Sequence, residues 1–328
     1  MERGFWGTLM WPLEWAVEWV LVAFHALNTS LGMPEASGWN WALAIAGLVV
    51  VVRMLLIPLF VKQIQSSRRM QLIQPELQKI QKKYKGKKDP ESQQAMTAET
   101  MDLYKRTGTN PLSSCMPILL QMPIFFALFY VLNGLSQVAA GGRSPAGPLG
   151  RELASQAERS TLFGAPLSAT FMSSGDLNTK ILTVILILLM SVSTFVTQHQ
   201  LMRRNMPESA LNNPFAQQQK IMLYLFPIIF AVTGVNFPIG VLIYWLVTNV
   251  WTLGQQFYVI NRMPAPGSPA EKALQARRQK RGKEHKAFTV PGLAKDAPAT
   301  EAETDEENQG PIRNSGQRQQ PRRRKRKR

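Results

Sequence analysis

The sequence has almost none of the residues that build disulfides, metal sites or catalytic centres. Its 328 residues include one cysteine and three histidines. A single cysteine, Cys115, excludes an internal disulfide, and the histidines at positions 25, 199 and 285 are too scattered to bind a metal with it. A phosphate-binding glycine loop and a nucleophile with its base are also lacking. We therefore expect a protein without enzymatic activity, cofactor or metal.

Acidic residues are absent from five long apolar segments, each with about the length and composition of a membrane-spanning helix. The segments are Trp39–Val61, Cys115–Leu135, Ile181–Thr197, Ile221–Phe237 and Ile239–Ile260. The mean hydropathy of −0.10 hides them because a very polar C-terminal region lowers the average. The predicted fold class is an all-α polytopic membrane protein with a five-helix transmembrane core.

Arg53 is the one charged residue in these five segments. As a helix, Trp41 to Val61 is roughly 31 Å long, which matches the hydrocarbon thickness of a bilayer. An arginine there costs about 2.5 to 3.5 kcal/mol, and each Leu, Ile or Val returns roughly 0.3 to 0.6 kcal/mol. The segment should still insert, so Arg53 is a candidate functional residue.

The distribution of Lys and Arg predicts the orientation in the membrane. Residues 62–114 contain 11 basic and 5 acidic residues, whereas residues 136–179 contain 3 of each. Basic segments stay on the cytoplasmic side, so the first segment is predicted to be cytoplasmic and the second to lie outside. Five spans, the first running inwards, then place the C-terminal tail in the cytoplasm.

The N-terminal region, residues 1–38, allows two interpretations. Glu14, Glu18 and His25 follow one another at spacings of 4 and 7, which places them on one face of an amphipathic helix. This pattern favours an interfacial helix on the outer surface. The alternative is a sixth span or an uncleaved signal anchor.

The connecting segments between the spans differ in character. Residues 63–107 show apolar positions at helical spacing with a break at 86–90, which predicts a cytoplasmic helical hairpin in which Pro75 begins a new helix. This hairpin either only joins two spans or meets a partner. The outer loop, residues 136–179, is rich in Gly, Ser, Pro and Ala, and we expect mostly irregular structure there.

The tail, residues 262–328, contains 18 basic and 8 acidic residues, and most of it should be disordered. It serves either as a topology signal that contacts anionic lipids or as an RNA-binding segment. The acidic stretch Glu301–Glu307 has no assigned role. The candidate ribosome-binding or anionic-surface residues are Arg277, Arg278, Lys280, Arg281, Arg322, Arg323, Arg324, Lys325, Arg326, Lys327 and Arg328.

Several motifs of the core resemble the YidC/Oxa/Alb family of membrane protein insertases, in its short form without a large extracytoplasmic domain. They are Arg53 followed by PLFVKQIQSSRRMQLIQPELQKIQKKY, then DLYKRTGTNPLSSCMPILLQMPIFFALFYVL, and finally TFVTQ, NFPIG and LIYWLVTN. The resemblance covers about Trp39 to Asn261. The overall style of the chain also resembles that of actinobacterial members with basic tails.

The resemblance implies five helices around a hydrophilic groove that is open to the cytoplasm and to lipid but closed outside. Arg53 matches the family's groove arginine and would attract polar or acidic parts of an incoming chain. Gln198 and Trp245 match polar and aromatic groove positions, although some members have Gln where this chain has Thr197, one position earlier. Tyr244 and Gln121 join the candidate groove residues because they place polar groups within spans.

The resemblance also implies partners and a location. The partners are nascent membrane proteins, the ribosome through rRNA and the basic tail, the Sec translocon and anionic lipids, and the location is the bacterial cell membrane. A secondary transporter or ion pathway using Arg53 is the main alternative. A membrane anchor for RNA or ribosomes is a third, which leaves Arg53 without a role.

Overall fold

The computed structural model describes residues 5–110, 116–206, 221, 224–225 and 228–282. The chain divides into two units, Met1–Gly292 and Leu293–Arg328, and all described residues lie in the first. The elements are α1 (Phe5–Ser30), α2 (Gly38–Leu55), α3 (Ile57–Lys83), α4 (Pro90–Thr107), α5 (Met116–Asn133), α6 (Leu135–Ala139), α7 (Arg151–Arg159), β1 (Thr161–Leu162), β2 (Ala165–Pro166), α8 (Leu177–Asn205), α9 (Ile239–Arg262) and α10 (Pro269–Gln279). Residues 228–234 are also helical. The predicted helical fold is confirmed at this level.

Two helices in the described part of the chain are long and apolar enough to cross a membrane, namely α2 and α8. A shorter apolar helical stretch, Leu119–Asn133, lies within α5. α9 has 24 residues but carries several polar side chains on its second half. The number of spans therefore stays a prediction.

The first predicted span is not one continuous helix. α2 ends at Leu55, and α3 begins at Ile57 with Pro58 in its first turn. Proline has no N–H to donate, and its ring collides with the carbonyl four residues earlier, so the helix is interrupted at Leu56. Arg53 consequently lies in the last turn of α2, close to this interruption.

The expectation that Pro75 begins a new helix is wrong, because Pro75 lies inside α3. Ile73 and Ile80 on the same helix are buried, and α3 lies against α4. Their packing outweighs the single backbone hydrogen bond that proline removes. Between the two helices, Lys83 pairs with Glu99 at 2.9 Å and Arg106 with Glu76 at 2.7 Å.

The outer segment 136–179 is more ordered than predicted. It contains α7 and an antiparallel pair of two-residue strands, β1 and β2, whose register pairs Thr161 with Pro166. Ala154 and Ala157 of α7 are buried, together with Leu149 just before it. Alanines gave little hydrophobic signal in the sequence, yet at a spacing of three they allow α7 to pack closely.

The hydrophobic core is formed mainly by α1, α2, α5, α8 and α9. Gly240, in the first turn of α9, marks the point where three helices meet. A Cβ atom there would lie 2.9 Å from Cδ1 of Leu132 and 3.3 Å from Cδ1 of Ile45. Ile45, Leu132 and Gly240 therefore lie at one level of the bundle, near the C-terminal end of α5 and the N-terminal end of α9.

α1 has the predicted polar face, but this face points into the protein. Glu14, Glu18 and His25 are each no more than 4% exposed. Glu14 accepts a hydrogen bond from Nη2 of Arg143 at 2.7 Å, and His25 stacks on Trp41 with a centroid separation of 4.2 Å.

Glu18 binds the backbone of the outer segment through its carboxylate oxygens. They accept hydrogen bonds from the N–H groups of Ala146, Gly147 and Leu149 at 3.0, 2.6 and 3.3 Å. A buried carboxylate costs free energy unless such donors surround it. The polar face of α1 is thus a structural contact with the outer segment, which the spacing of its residues did not reveal.

The beginning of the basic tail is ordered. Ser268 caps the N-terminus of α10 by accepting a hydrogen bond from the N–H of Glu271, and Oδ1 of Asn205 accepts one from the N–H of Ala265 at 2.8 Å. Burial lowers the pKa of Arg68 on α3, and the charge of Glu271 opposes this shift. α10 therefore packs beside the end of α8 and near α3, at the start of a tail that we expected to be mostly disordered.

Candidate groove of the helical bundle

Arg53 is buried in the bundle, with 7% of its surface exposed. Its Nη2 donates a hydrogen bond to Oγ1 of Thr252 at 3.1 Å, and its guanidinium lies over the ring of Phe60, 5.4 Å from the centroid. In the described part of the chain, no carboxylate lies within 4 Å of Arg53. The charge is thus held by a hydroxyl and an aromatic ring.

Tyr244 and Gln121 form a second polar contact in the same bundle. Nε2 of Gln121, on α5, donates a hydrogen bond to the Tyr244 hydroxyl. Tyr244 is 1% exposed and precedes Thr252 by eight residues on α9. Residues eight apart in a helix lie on one face, so Tyr244 and Thr252 belong to one stripe about 12 Å long.

Thr248 completes this stripe between Tyr244 and Thr252. Its backbone carbonyl accepts a hydrogen bond from the Thr252 hydroxyl at 2.8 Å. The three side chains lie on the face of α9 that packs against α2 and α5. Sequence reasoning missed Thr252, although its spacing of four and eight residues from Thr248 and Tyr244 was a usable signal.

Gln198 lies on α8, and its position follows from the register between α8 and α9. Nδ2 of Asn249 donates to Oγ1 of Thr194 at 3.1 Å and lies 3.5 Å from the carbonyl oxygen of Met190. If α8 and α9 run in the same direction, as the predicted topology requires, Gln198, one turn beyond Thr194, lies near the level of Thr252. This level is also that of Arg53, and the role of Gln198 stays a prediction.

Trp245 packs among aromatic rings in the N-terminal half of α9. Its ring centroid is 4.8 Å from Phe230, 5.2 Å from Phe125 and 5.6 Å from Phe237. The structure therefore separates Trp245 from the polar stripe that Tyr244, its neighbour in sequence, belongs to. Consecutive helix residues point about 100° apart, which explains this difference.

The basic candidates of the tail are only partly described. Arg277 and Arg278 lie in the last turn of α10, and Lys280 and Arg281 follow it. Arg277, Lys280 and Arg281 are exposed, so their charges face solvent. Arg322–Arg328 and the acidic stretch Glu301–Glu307 lie outside the described residues.

The described chain thus presents one buried cation beside hydroxyl and amide groups. Such a site can attract and hydrate a polar or acidic group, but it has no nucleophile or general base arranged for bond cleavage. Within the described residues, no group of three His, Cys, Asp or Glu side chains could hold a metal ion.

Comparison with known proteins then assigns the family. A family model described as "60Kd inner membrane protein" matches residues 32–266. The chain belongs to this family. Its membership agrees with the apolar helices α2 and α8, and the inner membrane is the location that the family description names.

Related members of the 60Kd inner membrane protein family are called membrane protein insertase YidC. The protein of Streptomyces avermitilis is 48% identical over 273 residues, which cover 80% of this chain and 61% of that protein. The protein of Tropheryma whipplei strain Twist is 40% identical over 292 residues, which cover 86% of this chain and 92% of that protein. The Bifidobacterium longum protein is 36% identical over 332 residues, with 100% and 98% coverage. The chain thus spans less than two thirds of the Streptomyces protein and almost the whole length of the other two.

One solved structure is titled an active YidC insertase with its first transmembrane domain resolved. It aligns with 77% of this chain and 47% of its own chain at 24% identity, with a TM-score of 0.42. Membership of this family, whose related proteins are named insertases, confirms the expectation that the chain is not an enzyme.

Proposed function

We propose that the protein inserts nascent transmembrane segments into the bacterial membrane through the polar side of its helical bundle. The single observation that carries this function is the burial of Arg53 without a carboxylate partner in the described chain. The family membership and the insertase names of the relatives support it.

The mechanism follows from the energetics of moving a chain across a bilayer. Polar groups of an incoming segment would lose several kcal/mol each in hydrocarbon, and a hydrated groove beside Arg53 lowers this cost. Acidic groups gain further from the positive charge. The apolar part of the segment then enters lipid, and this transfer drives insertion without a nucleotide.

The groove residues act in two groups. Arg53, with Gln198 near its level, receives polar parts of the segment, while Gln121 and Tyr244 extend the polar stripe outwards. Trp245 belongs with the aromatic rings that pack beyond this stripe. On the outer side, Glu14 and Glu18 hold the outer segment over the bundle, which supports a groove that is closed outside.

We also propose that α1 lies along the outer membrane surface rather than spanning the bilayer. Phe24 lies against the Gly47 position of α2, near the level of Ile45. Glu14 bonds Arg143, which also donates to the carbonyl of Tyr130 near the end of α5. The ten helical residues between Glu14 and Phe24 cover about 15 Å, yet both residues contact the same level of the bundle. The axis of α1 therefore runs across the bundle and not along it.

The exposed face of α1 fits this placement. Trp11, Trp15 and Trp19 are between 43% and 50% exposed and lie one turn apart. Tryptophan favours the boundary between headgroups and acyl chains. Because the charged side chains of α1 between Leu9 and Leu27 are buried in the protein, this face can rest on the outer leaflet.

The tail supports contact with the ribosome and with anionic lipids. Basic side chains at the end of α10 face solvent, and further basic residues follow them in the sequence. Binding to rRNA phosphates would weaken steeply with salt. The Sec translocon is a further proposed partner, which the family resemblance implies.

Removing the residues after Gly282 keeps α10. Post-translational insertion by this truncated protein should therefore persist, while its binding to the ribosome weakens.

The decisive experiment varies Arg53 and the charge of the substrate together. In proteoliposomes, Arg53→Ala should slow insertion of a short single-span substrate with an acidic translocated end by about tenfold, whereas Arg53→Lys keeps much of the rate. Arg159→Ala, an arginine of the outer segment, is the matched control. Normal insertion by Arg53→Ala would contradict the proposed function. Saturable solute uptake without insertion would instead favour a transporter.

A further inference from the structure

The contact between Thr252 and Arg53 joins two helices that are far apart in sequence. Thr252 lies on α9 and Arg53 at the end of α2, 199 residues earlier. The arginine side chain has several rotatable bonds, so a buried guanidinium needs fixed neighbours to keep one position. Phe60, seven residues after Arg53, supplies one such neighbour, because the guanidinium lies over its ring.

The hydroxyl of Thr252 is itself fixed in orientation. Its hydrogen is donated to the carbonyl oxygen of Thr248 at 2.8 Å, which leaves the oxygen lone pairs free to accept. One lone pair accepts from Nη2 of Arg53 at 3.1 Å. A threonine in this state is an acceptor only, and it therefore suits a cation better than a freely rotating hydroxyl.

A neutral acceptor has a further consequence for the charge of Arg53. A carboxylate at this position would neutralise the guanidinium and compete with any acidic group of an incoming chain. Thr252 fixes the guanidinium by one of its five N–H groups and leaves the positive charge uncompensated. The same geometry thus combines a fixed position with an available charge.

We propose that Thr252 is a positioning residue that holds the Arg53 guanidinium towards acidic or polar groups of the inserting segment. This assignment rests on the proposed insertase function. It separates positioning from charge, because Thr252 makes no direct contact with the substrate in this role. Its loss should weaken insertion only where the charge of Arg53 matters.

The test uses the full chain in proteoliposomes and two substrates that differ only in the charge of the translocated end. Thr252→Val keeps the shape of the side chain and removes the acceptor. We expect its insertion rate with the acidic substrate to fall by about threefold to tenfold, the size of one lost hydrogen bond. With the neutral substrate the rate should change by less than about twofold.

Two variants control for packing. Thr252→Ser keeps the hydroxyl and should restore most of the rate. Thr233→Val removes a hydroxyl that also bonds the carbonyl four residues earlier, at 2.7 Å, but that contacts no arginine, and it should insert both substrates normally. Thr252→Val combined with Arg53→Ala should be no slower than Arg53→Ala alone, because the positioned charge is already absent.

The outcomes distinguish the positioning role of Thr252 from the proposed insertase function on which it rests. If Arg53→Ala slows insertion but Thr252→Val does not, the positioning role of Thr252 is wrong and the proposed function stands. Equal losses with both substrates would also overturn the positioning role, because a packing defect ignores substrate charge. If Arg53→Ala inserts normally, the proposed function itself fails.

Discussion

The buried charges of α1 differ from the buried charge inside the bundle. Glu14 pairs with Arg143, and Glu18 accepts three backbone N–H bonds, so the protein itself satisfies both carboxylates. Arg53 contacts one hydroxyl and one ring, and no carboxylate of the described chain lies within 4 Å. The charges of α1 hold the structure together, whereas Arg53 has few partners within the described chain.

This difference separates two reasons for burying a charge. A charge with a full set of partners is part of the fold, and its removal should cost stability. A charge with few partners contributes little to the fold, and its removal should cost function instead. The comparison therefore predicts opposite phenotypes for substitutions only a few helices apart.

The largest change in stability should come from Glu18→Ala. It leaves three N–H groups of the outer segment without their acceptor, so the free energy of unfolding should fall by about 2 to 4 kcal/mol. Chemical unfolding in detergent micelles measures this change. Glu158→Ala, a carboxylate of α7, is the control and should leave it nearly unchanged. If Glu18→Ala is as stable as the parent protein, Glu18 is not a charge on which the fold depends.

A smaller loss should follow from Arg143→Ala. Glu14 would keep its buried position without its cation, but Arg143 is about one third exposed, so screening by water reduces the effect to about 1 to 2 kcal/mol. The same unfolding measurement applies. The double variant Arg143→Ala with Glu14→Gln should recover part of the loss, and additive losses would argue against a direct pair.

The comparison is sharpened by Arg53→Met. We expect its free energy of unfolding to stay within about 1 kcal/mol of the parent, because a buried cation with few partners is replaced by an unbranched apolar side chain. Its insertion rate should nevertheless fall as for Arg53→Ala. A loss of stability as large as that of Glu18→Ala would show that Arg53 is a structural charge after all.

The smallest effect concerns the exposed contact between α3 and α4. The hydrogen bond from Lys83 lowers the pKa of Glu99, so this contact is fully present above the ordinary glutamate pKa and is lost as pH falls through the lowered value. Spin labels on α3 and α4 should report a broader distance distribution at that acidic pH. In Glu99→Gln the distribution should no longer depend on pH over this range.

The sequence was informative where one residue contrasts with its surroundings. Arg53 was identifiable because a charge within an apolar segment is costly, and the helical nature of the chain followed from the length of the apolar segments. The spacing of Glu14, Glu18 and His25 also predicted one shared face. The direction of this face was not predictable, because the donors that bind Glu14 and Glu18 lie 128 or more residues away.

Other features depend on contacts that leave no local pattern. Pro75 was expected to begin a helix, but burial of Ile73 and Ile80 keeps α3 continuous. The order of the outer segment depends on small side chains such as Ala154, which sequence patterns do not distinguish from loop residues. Thr252 was missed because threonine is ordinary in apolar helices, and its value lies in its distance to Arg53.

The central claim is that Arg53 lies where an incoming chain passes. Site-specific photo-crosslinking from Gln255, on the face of α9 that carries Tyr244, Thr248 and Thr252, to stalled nascent chains tests it most directly. We expect crosslinks to several unrelated transmembrane segments, and far fewer from Leu188 of α8, an exposed position on a different helix. If Gln255 captures no nascent chain while the protein remains active in insertion, the polar stripe beside Arg53 is not the path of the substrate.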